Sequence, residues 1–143
     1  MSKKPNVMLI DDDSILNLSN ERLIQKTNFA TVLKIYTHAT RALNDIKTIY
    51  DSHNLTELPD IIFLDINMPD MNGWEFLDEL VLFPKEALEK CKVIMLSSSI
   101  DLHDIEKSVT YPVVSNFISK PLTPDKLQSL TALDKVNFLF EKD

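Results

Sequence analysis

Glycine is almost missing from this chain: 143 residues carry one, Gly73. A phosphate loop of the Walker or dinucleotide type needs several glycines so that backbone amides can approach the phosphates, and both are excluded. Cysteine is as scarce. The single Cys91 rules out an internal disulfide and any paired-cysteine metal or redox motif, and its place at the head of an apolar run reads as a small, semi-buried filler. No apolar stretch approaches the ~20 residues of a membrane-spanning helix. The basic start MSKKPN is followed by only four apolar residues before three aspartates, which is not a signal peptide. The expectation is a cytoplasmic chain with no membrane partner. Basic excess is lacking too: a net charge of −7 argues against a nucleic-acid surface, which needs a basic stripe. Acidic charge gathered in one pocket would instead suit a divalent cation.

What is present is a globular composition, 44% hydrophobic and 26% charged, in a length that supports one domain with its own core. Strand-like apolar runs are expected at 6–10, 31–36, 61–64, 92–96 and 113–118. Helix-like periodicity fills the gaps. The first helix takes Asp13 or Ser14 as its cap, with Ile15, Leu16, Leu18, Leu23 and Ile24 turned inward. Residues 40–50, 74–81 and 101–109 read as the next three. A last helix is capped by Thr123, starts at Pro124 and runs through Leu127, Leu130, Leu133, Val136, Phe138 and Leu139. The joins 51–58 and 83–91 are charged and expected to be exposed, with Pro84 and KEALEKC able to add one helical turn. Alternating strands and helices with short joins predict an α/β, flavodoxin-like, doubly wound five-stranded parallel sheet of order 2-1-3-4-5 with about five helices.

Four strand ends deliver polar groups to one edge of such a sheet: Asp11 with Asp12, then Asp65, Ser97 and Lys120. Singly, each has a bland reading, since aspartate and serine after a strand often cap the next helix or shape a turn. Together they complement one another. Carboxylates hold a hard cation such as Mg²⁺, a hydroxyl and an ammonium meet phosphoryl oxygens, and a central aspartate can be a nucleophile. Asp13, a third carboxylate in the row, is expected to be structural, capping the first helix. Gly73 is expected where the loop needs φ > 0 or where bulk is excluded. Trp74 reads as a packing residue. His38, His53 and His103 have no metal or triad spacing and read as surface residues.

The motifs LIDDD (9–13), LDINMPDMNGWEFL (64–77), VIMLSSS (93–99) and FISKPL (117–122) resemble the receiver domain of two-component response regulators, nearly from end to end. The resemblance implies a single receiver domain over 1–143, with a core of about 6–140, stand-alone and similar to the chemotaxis regulators, with no separate effector domain. It implies that Asp65 accepts a phosphoryl group. Asp11, Asp12, Asp65 and the main-chain carbonyl of Asn67 would bind Mg²⁺, with Mn²⁺ as a substitute. Ser97 would hydrogen-bond the phosphoryl group, Lys120 would pair with one of its oxygens, and the Lys120–Pro121 bond would be cis. Phe117 stands where the family commonly has a switching tyrosine, so no phenolic hydroxyl is present.

The implied function is a phosphorylation-dependent signalling switch, not an enzyme apart from its own phosphorylation and dephosphorylation at Asp65. The implied partners are a histidine kinase or histidine phosphotransfer protein and a downstream protein docking on about 101–140, where Phe138 and Phe140 could face it. A phosphorylation-dependent dimer is left open. One alternative is a degenerate receiver, never phosphorylated, acting as an interaction module. Another is an aspartyl-nucleophile phosphatase, which wants an acidic residue where this chain has Asn67.

Overall fold

A computed structural model describes residues 4–99 and 101–131 of the chain. Five strands, β1 (Asn6–Ile10), β2 (Val32–Tyr36), β3 (Ile61–Asp65), β4 (Lys92–Ser97) and β5 (Val114–Ser119), form one sheet of order β2-β1-β3-β4-β5. All four pairings are parallel, with Val7 opposite Ile61 and Asp65 opposite Leu96. Parallel neighbours require crossovers, and helices supply them. These are α1 (Ser14–Lys26), α2 (Ala39–Asp51), α3 (Gly73–Leu80), α4 (Lys85–Lys90), α5 (Leu102–Val109) and α6 (Pro124–Thr131). This is a flavodoxin-like doubly wound fold. Among the described residues it carries six helices rather than about five, because the turn after Pro84 is a helix in its own right. The expected run of the last helix beyond Thr131 lies outside the described residues.

The central strands are buried on both faces, which is why they read as unbroken apolar runs. Alternate residues go to opposite layers. Met8, Ile10, Ile62 and Leu64 pack with Ala42, Ile46, Phe76 and Leu77 beneath α2 and α3. Val7, Leu9, Ile61 and Phe63 pack with Ile24, Leu127 and Leu130 beneath α1 and α6. Full burial of Phe63 and Phe76 contributes about 1.5–3 kcal/mol each relative to exposure.

The joins at the N-terminal edge of the sheet are not merely exposed. A 3₁₀ turn (Leu55–Glu57) precedes buried Leu58, while Ala87 and Cys91 close the core beside α4. Burial pushes the Cys91 thiol up to about 12, so it behaves as an inert filler. Asp60 ties this edge together: its Oδ1 lies 2.5 Å from Lys90 Nζ, and its Oδ2 accepts from the Asn6 amide at 2.8 Å.

The inward face of α1 differs from the expectation. Ile15 is 84% exposed and Leu18 is 49% exposed, while Asn17 and Asn20 are buried with Ile24. The phase of the helix is set by its start. Asp13 accepts from the amides of Ile15 and Leu16, and Asn17 Nδ2 donates to the Asp11 carbonyl at 2.7 Å. Asn17, its Nδ2 bonded to main chain, therefore takes the position against the end of β1, and the apolar pair turns outward.

Candidate functional site

Every strand from β1 to β5 ends at the same edge, and four of them place the polar groups there. Asp11 follows β1 and is fully buried; its amide donates to the Tyr36 carbonyl at 3.0 Å, and its Oδ1 accepts from the Asp13 amide at 3.0 Å. Asp65 is the last residue of β3 and is 4% exposed. Lys120 follows β5, its amide donating to the Ser97 carbonyl at 2.7 Å. Its ammonium bridges the two acids, 2.8 Å from Asp11 Oδ2 and 2.9 Å from Asp65 Oδ1. The peptide bond between Lys120 and Pro121 is cis.

Asp11, Asp12 and Asp65 each bring a carboxylate oxygen within 4.8 Å of the others. Three carboxylates against one ammonium leave net negative charge in one place, and the donors are all hard oxygens. That donor set fits an oxygen-preferring divalent cation. The electrostatics agree. Burial raises Asp65 to about 6 and the Asp11 charge adds to this, while Lys120 and the Asn67 amide act in the opposite direction. Burial works to lower the Lys120 ammonium, but its hydrogen bonds to Asp11 and Asp65 outweigh that and hold it above the ordinary lysine value.

These groups face a cleft of about 590 Å³ that is also lined by Asp13, Leu16, Asn67, Ser98 and Pro121. Asp13 has the structural role expected of it, as the cap of α1. Ser97 is buried, and its hydroxyl donates to the Ser99 carbonyl rather than toward Asp65. The serine facing the cleft is Ser98. The VIMLSSS motif marks the segment but not which hydroxyl points where. Phe117 is half-buried against the layer beneath α2 and α3 and lines a groove with Ile105, Val109 and Tyr111. Phe138 and Phe140 lie outside the described residues.

The loop from Asp65 to α3 is held by backbone packing. A Cβ on Gly73 would lie 2.7 Å from the Asp65 carbonyl oxygen and 3.0 Å from Ile66 Cα, so bulk is excluded there. The Gly73 amide donates to the Ile66 carbonyl at 2.8 Å. The positive φ of this loop falls at Asp70 (66°), not at the glycine. Asn72 and Glu75 form a reciprocal capping box that starts α3. Trp74 then stacks on Tyr111 with ring centroids 6.0 Å apart, and Lys107 Nζ lies 4.8 Å from the Trp74 ring centroid. His38, His53 and His103 are exposed.

Residues 7–132 match the response regulator receiver domain family. The chain belongs to that family. The receiver is 29% identical over 145 residues to the probable C4-dicarboxylate response regulator DctR of Halalkalibacterium halodurans, covering 99% of this chain and 56% of that protein. It is 30% identical over 122 residues to the cell cycle response regulator CtrA of Brucella ovis, covering 85% of this chain and 46% of that protein. The chain thus spans about half the length of the curated relatives it matches. The crystal structure of a two-component response regulator from Cytophaga hutchinsonii superposes with a TM-score of 0.83 at 34% identity, covering 94% of this chain and 99% of that one. Family membership makes this a domain of phosphorylation-dependent signalling, with an acidic pocket of the kind that holds Mg²⁺ in receivers. No helix among the described residues is long and apolar enough to cross a membrane.

Proposed function

We propose that Asp65 accepts a phosphoryl group from a phosphohistidine on a histidine kinase or histidine phosphotransfer protein, and that the resulting acyl phosphate changes the surface of the C-terminal half. The observation that carries this is the bridging of Asp11 and Asp65 by one ammonium, Lys120, at the C-terminal edge of the sheet. In the transfer, a carboxylate oxygen of Asp65 forms a bond to phosphorus as the phosphorus–nitrogen bond breaks, and the leaving imidazole takes a proton. Alignment and charge neutralisation supply most of the catalysis in such a loose transition state. Lys120 is already placed to exchange a carboxylate for a phosphoryl oxygen. Asp11, Asp12, Asp65 and the Asn67 carbonyl would hold Mg²⁺, or Mn²⁺ in its place, which neutralises charge on the phosphoryl oxygens when bound.

The phosphoryl group adds charge and acceptor oxygens at one point, and a signal follows only if a bistable element responds. The Ser97 hydroxyl, bonded to the Ser99 carbonyl, is such an element. On phosphorylation it releases the Ser99 carbonyl and donates to a phosphoryl oxygen, drawing the segment after β4 inward. Phe117, half-buried beside α5, then turns into the space left behind. The affected face runs over about 101–140 and would recruit a downstream protein, with self-association of the phosphorylated form as one outcome.

The test is intact mass after incubation with acetyl phosphate and Mg²⁺, with Asp65→Asn and a metal-free sample alongside. One added phosphoryl group, absent from both controls, is expected. Failure to take up either phosphate or its analogue beryllofluoride would overturn the proposal in favour of an unphosphorylated interaction module.

A further inference from the structure

We infer that Lys126 is a positioning residue for the phosphorylation site, holding Lys120 in place from the first turn of α6; this rests on the phosphorylation reading above. A lysine in the first turn of a helix lies against the positive end of the helix dipole, an unfavourable place for a cation. Lys126 occupies it, two residues after Pro124, with its own amide donating to the Thr123 hydroxyl at 3.1 Å. The compensation is in where its ammonium goes. It reaches back to the Ser119 carbonyl at 2.8 Å, the Ser119 hydroxyl at 3.2 Å and the Pro121 carbonyl at 2.9 Å. The acceptors are thus the two residues flanking Lys120.

The consequence for Lys120 is geometric. Its backbone is fixed from β4 by the bond to the Ser97 carbonyl at 2.7 Å. Lys126 fixes the carbonyls of Ser119 and Pro121, the residues on either side, from α6. The Lys120 side chain must span from this anchor to both Asp11 and Asp65, and a bridge of that kind tolerates little movement at its root. Small displacements of a catalytic group are expensive in rate, and partners that orient a functional group are commonly worth tenfold or more. Lys126 also joins α6, part of the face expected to meet downstream partners, to the ammonium that touches the phosphoryl acceptor. A shift of α6 is thereby transmitted to Lys120.

The experiment measures the rate of Asp65 phosphorylation by acetyl phosphate in Mg²⁺, by intact mass over time, for the whole chain and its variants. Lys126→Met is expected to slow the reaction by about tenfold, and Lys126→Arg, which keeps a cation of similar reach, to recover most of the loss. In a Lys120→Met background, adding Lys126→Met is expected to change the slow residual rate by less than about twofold, because the two residues act as one unit. An unchanged rate in Lys126→Met overturns the inference. So does a loss of the same factor in the Lys120→Met background, which would make Lys126 a general stabiliser of the loop. Lys126→Gln, which keeps two donors, carries the same comparison if Lys126→Met does not fold. Absence of any adduct on the wild-type chain would instead count against phosphorylation itself, so the two failures are distinct.

Discussion

Asp65 and Gly73 meet at the end of β3, and each has a measurable signature. Burial, reinforced by the Asp11 charge, raises Asp65 to about 6 from an ordinary value of 3.8. Between those values the metal-free folded protein binds more protons than the unfolded chain. Stability contributed by this group therefore falls as pH rises from about 4 to about 6 and is flat above that window. Asp65→Asn removes the titration, so the stability of the variant relative to wild type should grow across the window by about 1–2 kcal/mol, discounted for screening in an open cleft. Urea unfolding of both proteins from pH 4 to 7 without metal checks it, and a constant difference would refute it. At Gly73, alanine would ordinarily favour a helix by about 1 kcal/mol. Here the added Cβ meets two backbone atoms, neither of which can swing aside. Overpacking should win, with Gly73→Ala losing about 1–3 kcal/mol in denaturant melts.

The elements differ in how legible they were. The strands could be read within a residue or so because each apolar run stops at a polar side chain, and the site could be read because those stops share one edge. Helix α3 was legible through its apolar periodicity over 74–81, while its capping box, Asn72 with Glu75, starts it one residue earlier than expected. The inner face of helix α1 was not legible, although its cap at Asp13 was, because apolar residues lie on more than one of its sides and Asn17 holds the inner stripe with its Nδ2 bonded to main chain. Periodicity counts hydrophobicity and is blind to a buried polar group that bonds to main chain. Ser97 and Ser98 show the same limit, since orientation depends on a bond to the Ser99 carbonyl that no pattern encodes. Helix α4 exposes a further expectation. Lys90 pairs with Asp60, a residue 10% exposed at the side chain, and the Tyr50 hydroxyl donates to Glu86 from α2. Lys90→Met should strand the Asp60 charge and reduce unfolding free energy by about 2–4 kcal/mol, whereas Lys85→Met, whose partner Glu89 is also exposed, should change it by less than about 1 kcal/mol. Chemical denaturation of the two variants separates these cases.

Across the whole molecule, the two edges of the sheet are built in opposite ways. The N-terminal edge is closed by Asp60, which links β1 through Asn6, β4 through the Lys92 amide and α4 through Lys90. The C-terminal edge gathers like charges about a single ammonium and leaves them facing water. A cation that binds only the folded state should therefore add stability by mass action, about 2.7 kcal/mol at a concentration 100 times its Kd. Thermal unfolding in rising Mg²⁺ should show the midpoint climbing and chelator reversing it, with the climb much reduced in Asp12→Asn. A midpoint indifferent to Mg²⁺ would count against the cation site while leaving the fold assignment untouched.

The loop between Asp65 and α3 also bears on how this protein ages. Asn72 followed by Gly73 is a dipeptide prone to losing ammonia, through attack of the glycine nitrogen on the asparagine side chain, and asparagine is among the residues that limit durability at high temperature. Here both reacting groups are occupied: the Gly73 amide donates to the Ile66 carbonyl, and the Asn72 side chain accepts from the Glu75 amide. Folded molecules should keep their asparagine far longer than unfolded ones. Where the reaction does occur, the isoaspartate product would lengthen the main chain by one carbon beside the strand that carries Asp65. The bonds that start α3 thus act as a chemical preservative for the signalling site.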